Sequence, residues 1–132
     1  MRGAAPLALL VAAGCVAAGE PPRDGAATDA GARAFQKCYA CHSLEGPDPS
    51  TQGPSLKGVL GRKVAAEPGF AYSPAMRAYA AKQPAWTREA LEAFIADPQA
   101  VVPDNEMGFF GISDPDERRA LIEYLAASQP PS

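Results

Sequence analysis

The sequence predicts an all-α single domain of about four helices joined by long loops. Three observations carry this. No stretch alternates apolar and polar residues as a half-buried strand does. Four segments show helical spacing with capping residues at their starts. Between the first and second runs a segment, 43–72, is punctuated by Gly46, Pro47, Pro49, Gly53, Pro54, Gly58, Gly61, Pro68 and Gly69. So long a loop is unusual in a compact domain unless it wraps something. The length, 132 residues, suits one domain.

The first helix is expected over about 29–41, with Asp29 as its cap and Gly31 and Phe35 on one face. Ser73-Pro74 opens the second, a cap followed by proline at the first helical position, and Pro84 ends it. Thr87 caps the third, 88–96, whose apolar stripe is Leu91, Phe94 and Ile95; Asp97-Pro98 stops it. Asp114-Pro115-Asp116-Glu117 starts the last, with an acidic first turn suited to the helix dipole and a stripe of Leu121, Tyr124 and Leu125.

Residues 1–18 read as a secretory signal: Arg2, then a short run of Ala, Leu, Val and Gly with small residues at its end. Val16-Ala17-Ala18 suits cleavage after Ala18. Ala12-Ala13-Gly14-Cys15 resembles a lipoprotein box, in which the signal ends at 14 and Cys15 is lipidated. Residues 19–29 read as a flexible linker, 30–128 as the folded domain and 129–132 as a fraying tail. Both processing routes put the domain outside the cytoplasm, in the periplasm. Membrane attachment is expected only if Cys15 is lipidated.

The formal net charge is −3, which argues against nucleic acid as a partner. The chain has three cysteines and one histidine. With Cys15 in the leader, Cys38 and Cys41 remain, too few for a disulfide framework.

Residues 38–42 read Cys-Tyr-Ala-Cys-His, the attachment signal for c-type haem. Two thiols add to the two haem vinyl groups, and the two residues between set the sulfurs far enough apart to reach both. The adjacent His42 then turns its ring to the iron. Other readings of this pentapeptide are weaker. A redox dithiol usually follows a strand, and none is predicted. Structural zinc needs four ligands, and this region offers three.

His42 is the only histidine, so the second axial ligand is sought among methionines. Met76 falls in the first turn of a capped helix, where it reads as filler. Met107 sits in a loop between two helices, from which a side chain can be presented across a haem face. The spacing favours Met107, with apolar gap-filling as its alternative role.

Several segments in the right order resemble the class I c-type cytochromes, within them the mitochondrial and purple-bacterial subgroup. They are Gly31–Glu45, Gly53–Lys63, Gly69–Ser73, the Trp86-Thr87 pair, and the run from Asp97-Pro98 through Val102-Pro103 to Met107–Ile112. The resemblance covers residues 30–126. It implies the small monohaem cytochrome c fold, with loops wrapping one covalent haem c. It implies that the Pro54 carbonyl accepts from the His42 ring, that Arg62, Tyr72 and Trp86 hydrogen-bond a buried haem propionate, and that Met107 is the axial methionine. It puts Phe109 beside the haem edge and Gly31, Phe35 and Tyr124 at the crossing of the first and last helices.

The chain also departs from the family pattern. Asp104 replaces a turn glycine before the methionine. Asn105 stands in place of a threonine and is expected to keep its propionate contact. Glu106 replaces a lysine, and Phe94 stands where many relatives carry a tyrosine bonded to the methionine sulfur. After the leader only Lys37, Lys57, Lys63 and Lys82 remain, so no basic docking ring is expected.

The implied function is a one-electron carrier of a respiratory or photosynthetic chain, not an enzyme. Expected partners are a quinol-oxidising complex, a terminal oxidase, a dehydrogenase or a photosynthetic reaction centre, and a monomer is expected. An enzyme or gas-binding protein would need an open iron position, and a thiol–disulfide protein would need free Cys38 and Cys41.

Overall fold

The computed structural model describes Gly3 and residues 24–128, with side chains from Thr28 onward. The expected leader apart from Gly3, with Cys15 in it, and the tail 129–132 lie outside the described residues. Helices follow in the order α1 Asp24–Phe35, α2 Pro74–Lys82, α3 Arg88–Ala96, α4 Pro98–Val101 and α5 Pro115–Ala127. Among the described residues the only extended pairing is one antiparallel bridge, Lys63 with Ala85.

Three helices begin where their caps are written. Ser73, Thr87 and Asp114 accept from Met76 N, Ala90 N and Asp116 N, and each such cap is worth about 1 kcal/mol. The first helix differs from expectation at both ends. It starts at Asp24, inside the stretch read as a linker, so Asp29 lies within the helix instead of capping it. Helix α1 as a whole carries five alanines, the strongest helix former, against two glycines. The helix also stops at Phe35, not at residue 41. Beyond it the bonds shorten to i→i−3, as in Gln36 N to Arg33 O and Lys37 N to Ala34 O, and the attachment pentapeptide continues in turns.

A further element, α4, sits in the segment expected to be loop. Asp97 and Pro98 end α3 as expected, but Asp97 at once accepts from Ala100 N at 3.0 Å and Pro98 takes the first helical position. The dipeptide that breaks one helix thus caps the next.

The core is the meeting of three helices. Ala34 and Phe35 of α1, Ala90, Leu91, Phe94 and Ile95 of α3, and Leu121, Ile122 and Leu125 of α5 are all buried. Ile122 replaces Tyr124 on the buried stripe of α5; Tyr124 is half-buried and its ring lies 5.8 Å from that of Phe35. Helices α1 and α5 cross at Gly31, where a Cβ would stand 2.5 Å from both Ala120 O and Tyr124 Cβ. Arg118 ties α5 to α3 through Glu92 at 2.6 Å and holds the chain entering α5 through Ile112 O at 2.7 Å.

Candidate functional site

The turns after α1 place His42 with its ring against the 53–54 segment. Its Nδ1 lies 2.6 Å from Pro54 O. A carbonyl can only accept, so Nδ1 carries the proton and Nε2 keeps a free lone pair for a metal. The ring lies flat on Gly53. A Cβ there would stand 2.5 Å from Cε1, 2.8 Å from Nδ1 and 3.0 Å from Nε2. Burial holds the imidazole below its usual pKa range; the Pro54 bond and Glu67 pull upward, and Arg62 adds to the lowering. Burial is the largest of these influences, so the net shift favours the neutral ring.

Cys38 and Cys41 form no disulfide with each other and lie one turn apart. Burial, opposed by Lys37 and reinforced by Cys41, pushes the Cys38 thiol up to about 11. A dithiol built for exchange needs the opposite shift, because the thiolate is the nucleophile. Among the described residues no three of His, Cys, Asp and Glu gather as a metal cluster.

These groups open onto a largely apolar cavity of about 350 Å³. All nine expected site residues line it: Cys38, Cys41, His42, Pro54, Arg62, Tyr72, Trp86, Asn105 and Met107. Met76, read above as filler, lines it too. So do Phe94 and Phe109, and Trp86 packs on Phe94 with ring centres 5.1 Å apart. The bridge Lys63–Ala85 brings Arg62 beside Trp86: Trp86 N donates to Arg62 O at 2.9 Å, and Gly61 N donates to Trp86 O at 2.8 Å.

Arg62 supplies the test of fit. Its Nη2 donates to Ser55 O at 2.8 Å and its Nη1 to Lys57 O at 3.3 Å, while its Nε is buried without a partner. A buried guanidinium donor left over in a cavity wall suits an anionic group such as a haem carboxylate. Tyr72 behaves likewise. Its hydroxyl already accepts from Glu67 N at 3.1 Å, so its own proton is left to donate. The residues present fit a haem.

Asn105 lies in a hydrogen-bond network of its own. Its Nδ2 donates to Pro98 O at 3.0 Å and Val102 O at 2.8 Å, and its Oδ1 accepts from Met107 N at 2.9 Å. Both amide hydrogens are directed at backbone carbonyls. A flipped amide would set oxygen against two carbonyls, so the assignment is fixed by the network. Asn105 pins the backbone of the methionine loop to α4. Asp104, the turn-glycine replacement, has φ +64, a left-handed conformation that aspartate tolerates better than most residues.

Two residues were missed. Gly53 lies in the segment that carried the resemblance, yet nothing local says that a ring will lie on it. Glu67 is buried, with Oε2 accepting from Ser55 N at 2.8 Å; before Pro68-Gly69 it reads as an ordinary solvated loop acid.

Comparison with known proteins agrees with this geometry. The family model for cytochrome c matches residues 28–129. A cytochrome c2 of Agrobacterium tumefaciens is 37% identical over 103 residues, covering 76% of this chain and 93% of that protein. A cytochrome c2 of Rhodoplanes tepidamans is 40% identical over 93 residues, 70% of this chain and 92% of its own length. The solved structure of cytochrome cH from Methylobacterium extorquens superposes with a TM-score of 0.67 at 38% identity, covering 76% of this chain and 97% of that one. Cytochrome c2 from Rhodospirillum centenum gives 0.67 at 28% identity, over 78% of this chain and 98% of that one. The all-α fold, the attachment pentapeptide and these likenesses lead to one conclusion: the chain belongs to the cytochrome c family, class I and of the purple-bacterial kind, and is a small electron carrier, not an enzyme, with one covalently attached haem c.

Proposed function

We propose that this protein is a one-electron carrier of a respiratory or photosynthetic chain outside the cytoplasm, with His42 and Met107 as axial ligands. The observation that carries the reading is the His42 ring, fixed by Pro54 with its Nε2 free, in a cavity that Met107 also lines. Haem c supplies the one-electron couple of its iron. The protein's part is to keep the ligands still and the surroundings dry, so that little has to move when charge changes.

Each residue then has a task. Cys38 and Cys41 tether the group through thioethers. Pro54 fixes the ring orientation and tautomer of His42. Arg62 Nε, the Tyr72 hydroxyl and Trp86 hold a propionate. Asn105 holds the loop that carries Met107. Phe94 brings no hydroxyl to the methionine sulfur. Partners are redox proteins: a quinol-oxidising complex, a terminal oxidase, a dehydrogenase or a photosynthetic reaction centre. The leader read at 1–18 directs the chain to the periplasm, and a lipidated Cys15 would hold it at the membrane. Among the described residues no helix is long and apolar enough to cross a membrane.

The test is expression with export and haem-maturation machinery, followed by a pyridine haemochrome spectrum. A c-type spectrum with the weak sulfur-to-iron band is expected. Met107→Ala should keep the haem and bind cyanide much faster than the parent, whereas Met76→Ala should not. Colourless protein, or a cyanide response to Met76→Ala alone, would sink the assignment.

A further inference from the structure

Glu67 is the only buried acidic side chain among the described residues, and the roles above leave it unused. Its Oε2 accepts the Ser55 N–H at 2.8 Å. That N–H and the Pro54 C=O belong to one planar peptide group. The bond is trans, so the two dipole ends point in opposite directions. The C=O end receives His42 Nδ1–H at 2.6 Å. A carboxylate and the imidazole therefore sit at the two ends of a single conjugated amide.

The chemistry of that arrangement is directional. A carboxylate at the N–H end favours the amide resonance form with negative charge on oxygen. The oxygen becomes a stronger acceptor, and hydrogen bonds in a chain polarise one another in this way. A stronger acceptor at Nδ1 makes the imidazole a better donor at Nε2. Histidine ligands commonly bond directly to a carboxylate or a backbone carbonyl. Here the two are in series.

We infer that Glu67 is a positioning residue that acts on the iron ligand through the Pro54–Ser55 peptide, favouring the ferric state. The inference rests on the reading of His42 as an axial ligand. The surroundings reinforce the geometry. Ser55 is almost wholly buried, and Arg62 grips its carbonyl at 2.8 Å while Glu67 grips its N–H. Ser55 Oγ also accepts from Lys57 N at 3.1 Å. Glu67 thus holds the N–H of the relay peptide itself, and Arg62 holds the C=O of the next peptide along, which pins the chain on its Ser55 side. Arg62 is the opposing charge nearby; it favours the ferrous state through space, so the pair sets a balance.

The test uses the holoprotein and two readouts: midpoint potential, and the His42 Nδ1–H proton resonance in the diamagnetic reduced form. Glu67→Gln is isosteric and can still accept from Ser55 N, so a merely structural role predicts no change in either. The relay predicts a raised potential, by up to about tenfold in the ferric-to-ferrous preference, or 59 mV for one electron. It also predicts an upfield shift of Nδ1–H. Glu106→Gln removes a charge from the cavity rim outside the relay and should leave Nδ1–H in place. A potential shift in Glu67→Gln without movement of Nδ1–H would reduce Glu67 to a through-space charge and overturn the inference, as would no shift at all. If Glu67→Gln fails to fold, Glu67→Asp carries the test: the two readouts must still move together. A parent protein lacking the low-spin histidine–methionine spectrum would instead signal failure of the ligand reading itself.

Discussion

Gly53→Ala offers the sharpest quantitative test of how the imidazole is held. The new Cβ would lie 2.5 Å from His42 Cε1 and 2.8 Å from Nδ1, where ordinary contact begins at 3.4 Å. One of the two must yield by roughly 1 Å. The ring has little room to do so. Its Nδ1 is tied to Pro54 at 2.6 Å, and its backbone N donates to Cys38 O at 3.0 Å. A retreat of that size carries the Pro54 bond beyond the usual hydrogen-bond range. Overpacking costs about 1–3 kcal/mol, and leaving buried partners poorly matched costs about 1–3 kcal/mol more. The expected loss is therefore about 2–6 kcal/mol. Guanidinium unfolding of the holoprotein, followed at the haem absorbance, measures it, and the midpoint potential should shift in the same variant. Haem yield should persist, because both thioethers form at Cys38 and Cys41 irrespective of the ring. Stability within about 0.5 kcal/mol of the parent, with an unchanged potential, would show that the ring does not rest on Gly53.

Two further substitutions probe packing and the methionine loop. Gly31→Ala gains about 1 kcal/mol of helix propensity but drives a methyl group to 2.5 Å from Ala120 O and Tyr124 Cβ, neither of which can rotate away. A net loss of up to about 2 kcal/mol in urea unfolding is expected; a variant more stable than its parent would contradict the tight crossing of α1 and α5. Asn105→Ala cuts the bonds to Pro98, Val102 and Met107, should cost about 1–3 kcal/mol, and should speed cyanide binding by loosening the loop. An unaltered cyanide rate would mean that Asn105 does not restrain Met107.

The parts of this molecule that were legible in the sequence are those encoded locally. Ser73-Pro74, Thr87 and Asp114-Pro115 announce their helices because a cap acts within one turn. The attachment pentapeptide is legible for the same reason. Helix α4 escaped because four residues are too few for periodicity, although Asp97-Pro98 repeats the signature that opens α5. The start of α1 escaped because alanine with glycine and aspartate suits a tether as well as a helix. The site residues that escaped are defined by distant partners. Gly53 matters because of His42, and Glu67 because of Ser55, twelve positions away. Asn105 was read by substitution for a threonine, a comparison that cannot reveal that its amide is committed to backbone carbonyls.

The placement of the two cysteines bears on how the protein is made. Both thiols and the imidazole fall within positions 38–42, whereas other parts of the cavity wall are drawn from as far along as Leu125. A maturation enzyme needs to grip only five consecutive residues, which it can read in a chain still unfolded. The far-flung walls can close later around a guest already fastened. That layout is compatible with tethering first and enclosure second, and a guest fastened at 38 and 41 would stay attached even if the wall at residue 107 moved away.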